Sequence, residues 1–179
     1  MYCFLIASLP ELQLESPAPV SVEEFDNICR EELSADRFKA LTAFDWNILP
    51  DFQESDKLTA FYNNCGKFEL YLRNRIARRR ADKAGVQLDL PDPPEYFADY
   101  DAVAGTLAAM SDPAEREIMV DRLRWNFVEE QLLCKEFDFD ALCAYRLKLA
   151  VVNKYRNRKL EPGRINFDAA LERVTRSNP

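Results

Sequence analysis

The sequence predicts an all-α protein, an irregular multi-helix bundle organised by one long helix at about residues 55–85. Three stretches carry that expectation. Ser55 to Gly85 contains no proline and closes on a glycine, the residue most often found just past a helix end. At 100° per residue its Leu58, Phe61, Tyr62, Cys65, Leu72 and Ile76 fall on one stripe. Asp112-Pro113-Ala114-Glu115 places a capping side chain, a proline and an acid where a helix start favours each. Ala141 to Lys159 keeps Leu142, Tyr145, Leu149 and Val152 on one face.

In chain order, residues 2–9 (YCFLIASL) are apolar, and their pattern leaves a short N-terminal strand and the first turns of a helix equally open. Pro10, Pro17 and Pro19 make an extended connection. Ser21 to Glu24 fits a capping box, opening a short helix to about Glu32 that buries Phe25, Ile28 and Cys29. Ser34 caps another, through Phe38, Leu41 and Phe44. A turn, DWNILPDFQE, then holds Trp46 and Phe52 under the start of the long helix. After Gly85, prolines 91, 93 and 94 make a stiff crossing, and Glu95–Met110 is helical with Tyr96, Tyr100, Val103 and Leu107 on one side. The helix from Asp112 to about Lys135 carries two apolar stripes: Ile118, Trp125, Val128 and Leu132, and Val120, Leu123, Phe127 and Cys134. Neighbours on both sides place it at the centre of the bundle. Asp138 or Asp140 caps the next helix, and a short one from Phe167 to about Val174, capped by Asn166, ends the chain. Residues 1–179 read as a single helical domain, with any subdivision falling at the 86–94 crossing.

Composition narrows function by exclusion. The chain has no histidine, which rules out Ser-His-Asp and Cys-His nucleophile systems. Its four glycines are isolated, so no phosphate-cradling loop can be assembled. The five cysteines have no C-x-x-C spacing; Cys65, Cys134 and Cys143 sit among apolar neighbours and read as reduced core residues, which indicates the cytoplasm. Residues 1–10 lack a basic n-region and reach Pro10 too soon for a span, so they are expected to be neither signal peptide nor anchor. The expectation is a protein without catalysis, cofactor, metal or small-molecule substrate.

Charge is the sharpest functional signal. The net charge is −7, yet Lys67–Lys83 holds seven basic and two acidic residues, leaving −12 on the rest. Beyond Ile76 the apolar stripe of the long helix continues through Arg79, Arg80 and Lys83. A solvated helix end accounts for such a run, because cations favour the C-terminal dipole. Its displacement onto the core stripe points instead to a docking surface for an acidic partner, made of Arg73, Arg75, Arg78, Arg79, Arg80 and Lys83. The acidic body argues against nucleic acid. Tyr62, Asn63, Asn64 and Lys67 read as a core tyrosine with helix-surface amides, Gly66 as a site of close helix packing, and Tyr96, Phe97 and Tyr100 as a lid on the core.

YCFLIASLPELQL, PAPVSVEEFDNIC, FYNNCGKFELYLRNRIARRRADKAG, DRLRWNFVEEQL and FDFDALCAYRLKLAVVNKY together resemble a bacterial family whose genes accompany V-type ATP synthase operons. That family is distantly similar to the C (or d) subunit, the all-helical, non-catalytic piece between the central stalk and the membrane rotor ring. A long helix of that subunit carries an asparagine and a Leu-Arg pair; Asn63 or Asn64 with Leu72-Arg73 look similar here. The subunit is longer and built of repeated modules, and this chain matches only part of it. The resemblance implies a part in ion transport through protein–protein interaction, with other V-type ATPase subunits as partners. It also implies a cytoplasmic location, peripheral to the inner membrane through the ATPase alone. A small helical adaptor is the alternative that the composition equally allows, with a nucleic-acid-binding protein behind it.

Overall fold

The computed structural model describes residues 2–47, 52–90, 98–132 and 138–157. Seven helices and no strand occur among them: α1 (Cys3–Ser8), α2 (Val22–Glu32), α3 (Ala35–Leu41), α4 (Ala60–Ala84), α5 (Ala98–Ala109), α6 (Pro113–Gln131) and α7 (Phe139–Asn157). The all-α expectation holds. The N-terminal segment is helical rather than a strand: the Ile6 N–H donates to the Tyr2 carbonyl and Leu5 faces the core. The 91–97 crossing with Tyr96 and Phe97, residues 133–137 with Cys134, and the final helix expected at 167–174 lie outside the described residues.

Helix starts follow their local chemistry. Ser21 and Glu24 form the reciprocal capping box of α2. Ser34 caps α3, and Asp112 accepts from the Ala114 N–H to cap α6, with Pro113 in its first position. Gly85 ends α4 with φ 70°, a left-handed conformation that costs a glycine little. α4 begins at Ala60 rather than Ser55, because the Thr59 hydroxyl takes the capping bond from the Tyr62 N–H. α7 begins at Phe139, directly after Asp138 and two residues before the expected start. In α2, Phe25 and Cys29 are fully buried, but Ile28, expected to be buried with them, is 41% exposed.

The centre of the bundle differs from the expectation. α6 leaves Arg122, Asn126, Glu129 and Glu130 exposed, so one side of it is solvent. The helix enclosed all round is the first half of α4, where Phe61, Tyr62, Asn63, Cys65, Gly66, Phe68, Glu69, Leu70, Tyr71 and Leu72 are buried. It packs on α5, α6 and α7, and α7 in turn holds α2 and α3. Phe68 stacks on Phe127 of α6 with ring centroids 4.2 Å apart, and Tyr100 of α5 meets Phe68 edge-on at 4.8 Å. On the other side the Tyr62 hydroxyl donates to the Leu41 carbonyl, and Phe44 stacks on the Tyr62 ring. Arg146 of α7 is clamped between the Asp26 carboxylate and the Phe44 carbonyl.

Two residues of α4 are explained by the preceding loop. Asn63 is a buried clamp rather than a surface amide: it accepts from the Ser55 N–H and donates to the Ser55 carbonyl, both at 3.0 Å. Gly66 makes room for the Phe52 ring, which a Cβ there would overlap, rather than for another helix. Cys29, Cys65 and Cys143 are buried free thiols. Burial pushes the Cys65 thiol well above its ordinary range and that of Cys143 up to about 12. No helix among the described residues is long and apolar enough to cross a membrane.

Candidate functional site

The charged residues of the long helix do not form one patch. At 3.6 residues per turn, Arg73 and Arg80 lie roughly 20° apart around α4, whereas Arg75, Arg78 and Arg79 point to the other side. Arg75, Arg78 and Arg79 line a depression with Asp82 and Leu88, where the chain after Gly85 folds back along the helix. Arg78 donates to the Leu90 carbonyl there, and the Arg75 guanidinium sits 5.8 Å from the Tyr71 ring centroid. Lys83 is exposed at the helix end. Of the six cations expected to act together, Arg73 and Arg80 face a separate cleft between α4, α6 and α7.

Beneath that cleft is a buried ion network. Glu69 of α4 is 1% exposed and receives both ends of the Arg124 guanidinium of α6, at 2.6 and 2.9 Å. Arg73, one turn along α4, donates to the same carboxylate at 2.6 Å and to the Trp46 carbonyl at 2.7 Å. Arg124 also reaches Asp121 at 2.9 Å, and Lys154 of α7 joins Asp121 at 2.8 Å. Trp46 sits at the junction, its ring 5.4 Å from the Arg124 guanidinium and its indole N–H donating to the Leu147 carbonyl. Burial by itself would push the Glu69 carboxyl up; the Arg124 hydrogen bonds and charge, with those of Arg73, outweigh it and hold it below its ordinary value. Two-pronged, charge-assisted contacts of this kind fix geometry as well as charge.

These partners were legible in part. At 100° per residue Glu69 falls inside the apolar stripe of α4, between Tyr62 and Cys65, and Asp121 falls inside the Ile118–Trp125–Val128 stripe of α6. A carboxylate centred in an apolar stripe needs a buried cation, and the arginines at Glu69+4 and Asp121+3 supply one each. Their meeting across helices required the fold.

The cleft has a volume of about 500 Å³ and is lined by Arg73, Arg80, Arg116, Arg124 and Lys154, by Glu117, by Asn47, and by the apolar Ile76, Ala77, Pro113 and Val120. Among the described residues, five cations face Glu117, Glu69 and Asp121, a surplus of two positive charges. Arg116 donates to the Met110 carbonyl at 2.9 Å, while its buried Nε finds no hydrogen-bond partner among the described residues. No three Cys, Asp or Glu side chains converge as a metal site would require among the described residues. The arrangement can hold an anion.

Fold and site together define an all-helical protein with a buried inter-helix ion network and an electropositive cleft above it. The chain belongs to the DUF2764 family, described as a protein of unknown function, whose family model matches residues 67–176. That match takes in every lining residue of the cleft except Asn47. No curated protein and no solved structure matches the chain.

Proposed function

We propose that this protein is a non-catalytic subunit or accessory of a bacterial V-type ATP synthase, a rigid helical connector like the C (or d) subunit of the central stalk. One observation carries the reading beyond the resemblance of its sequence: α4 packs through Leu72 and Asn74, then continues to Ala84 with Arg79, Arg80 and Lys83 exposed. A single helix of this length spans roughly 37 Å and transmits position without chemistry. The remainder of the chain is acidic, so its cationic end is the surface suited to acidic faces of neighbouring subunits. Cytoplasmic location, and attachment to the membrane only through the ATPase, follow from the same reading.

Division of the cations between two faces weighs against the nucleic-acid alternative, which needs a continuous track for a phosphate backbone. The adaptor alternative differs in its partner. Affinity-tagged protein recovered from its native cells should carry stalk or ring subunits of the ATPase with it. Recovery of an unrelated protein in their place would favour the adaptor, and recovery of neither would end the connector reading.

A further inference from the structure

The cleft is open to solvent, and its volume falls within the range of small-molecule sites, roughly 300 to 1,000 Å³. Its floor keeps one positive charge in excess, since Glu69 and Asp121 are engaged by Arg73, Arg124 and Lys154. Its described walls keep another, with side chains less fully engaged. Arg80 makes no ion pair or hydrogen bond among the described residues, Arg116 keeps an unpartnered Nε, and Glu117 is the sole carboxylate among the described lining residues. The floor holds the Arg73 and Arg124 guanidinium groups in place, so that part of the positive field needs no ordering on binding.

We propose that this cleft binds a small organic dianion bearing phosphate or carboxylate groups. Arg80 and Arg116 contact the oxyanions from α4 and α6, Arg73 and Lys154 supply the surrounding positive field, and Ile76, Ala77, Pro113 and Val120 pack the uncharged part. Guanidinium forks suit both oxyanions, so the chemistry shared by the two classes is what the site selects. The surplus of two positive charges sets the preferred ligand charge. Docking to an ATPase is not required for this inference.

Isothermal titration of the full chain with inorganic phosphate, phenyl phosphate and succinate, at pH 7.5 and ionic strength held constant with sodium chloride, tests it. Saturable one-site binding of at least one probe is expected. Arg80→Ala, at an exposed position that leaves the network intact, should weaken it roughly tenfold, the loss of one charge-assisted contact. Arg116→Ala should do the same, with its melting curve checking the fold. Arg79→Ala and Lys83→Ala, outside the cleft, should leave the affinity unchanged. Preference for phenyl phosphate or for succinate assigns the oxyanion class, and either supports the site. Absence of saturable binding by all three probes overturns the proposal, as does equal weakening by Arg79→Ala and Lys83→Ala. It is overturned too if an Asp/Glu-rich peptide binds through Arg80 and none of the three anions displaces it. Arg80→Ala protein that loses anion binding yet still recovers ATPase subunits would separate this site from the docking function.

Discussion

At the residue scale, Gly66 and Glu69 show how an ordinary preference is overridden by a neighbour. A glycine inside a helix gives up about 1 kcal/mol relative to alanine, yet the Phe52 ring occupies the space a Cβ needs. Overpacking costs about 1–3 kcal/mol, so Gly66→Ala should lower the unfolding free energy by about 1 kcal/mol. In a Phe52→Ala background the same change should become stabilising; urea titrations of the four proteins read that reversal, and an unchanged sign would mean that Phe52 is not the cause. Glu69 presents the opposite case, a charge kept in the core because its partners are there too. Glu69→Leu leaves Arg124 with Asp121 as its one carboxylate partner among the described residues and should cost about 3 kcal/mol, whereas Glu69→Leu with Arg124→Met should cost less than the single change. The pH dependence has a fixed sign. Because the Glu69 carboxyl is held below its ordinary value of 4.5, its contribution is fully present above that value and is lost as pH falls through the lowered one. Stability curves between pH 6 and 2 should therefore drop less steeply for Glu69→Gln than for the native chain.

Among the elements, those with a chemical start or stop signal were legible and those defined by packing were less so. Ser21 with Glu24, Asp112 with Pro113, and Gly85 each carry their boundary in a few residues, because a cap is a local hydrogen bond. The start of α4 moved five residues because Leu58 continues the apolar stripe upstream, while the true signal, the Thr59 hydroxyl, is a single atom. Apolar stripes alone favour α6 over α4 as the central helix, since Asn63 and Asn74 lie off the α4 stripe and look like surface residues until their burial is known. The candidate site was legible to a similar depth. Arg73 and Arg80 were found as members of a cationic run, but Arg116, Arg124 and Lys154 come from two other helices and share no sequence pattern with it. Asp112 offers a clean test at this scale. Its side chain is exposed apart from the capping bond, so Asp112→Ala should cost about 1 kcal/mol through loss of the cap alone. Asp112→Ser should restore most of it, as read from denaturant midpoints with an unchanged slope.

For the whole molecule, charge and architecture act together. Helices α4, α6 and α7 are tied by Glu69, Asp121, Arg73, Arg124 and Lys154, which fixes their relative positions as apolar contacts alone would not. A rigid frame of that kind suits a connector, and it carries one cationic helix end on an otherwise acidic body. Arg79→Glu/Arg80→Glu/Lys83→Glu changes exposed positions only and costs about 0.3–1 kcal/mol for each charge opposed to the helix dipole. It should still fold, as its melting curve checks, while inverting the surface that the connector reading requires. The most direct measurement is binding of the purified chain to the isolated V-type ATPase stalk and rotor assembly, in native and charge-reversed forms, across a salt series. The account predicts stoichiometric binding that weakens with salt and is lost in the charge-reversed form. Absence of binding by the native chain at low salt, or binding that the reversal leaves untouched, would contradict it.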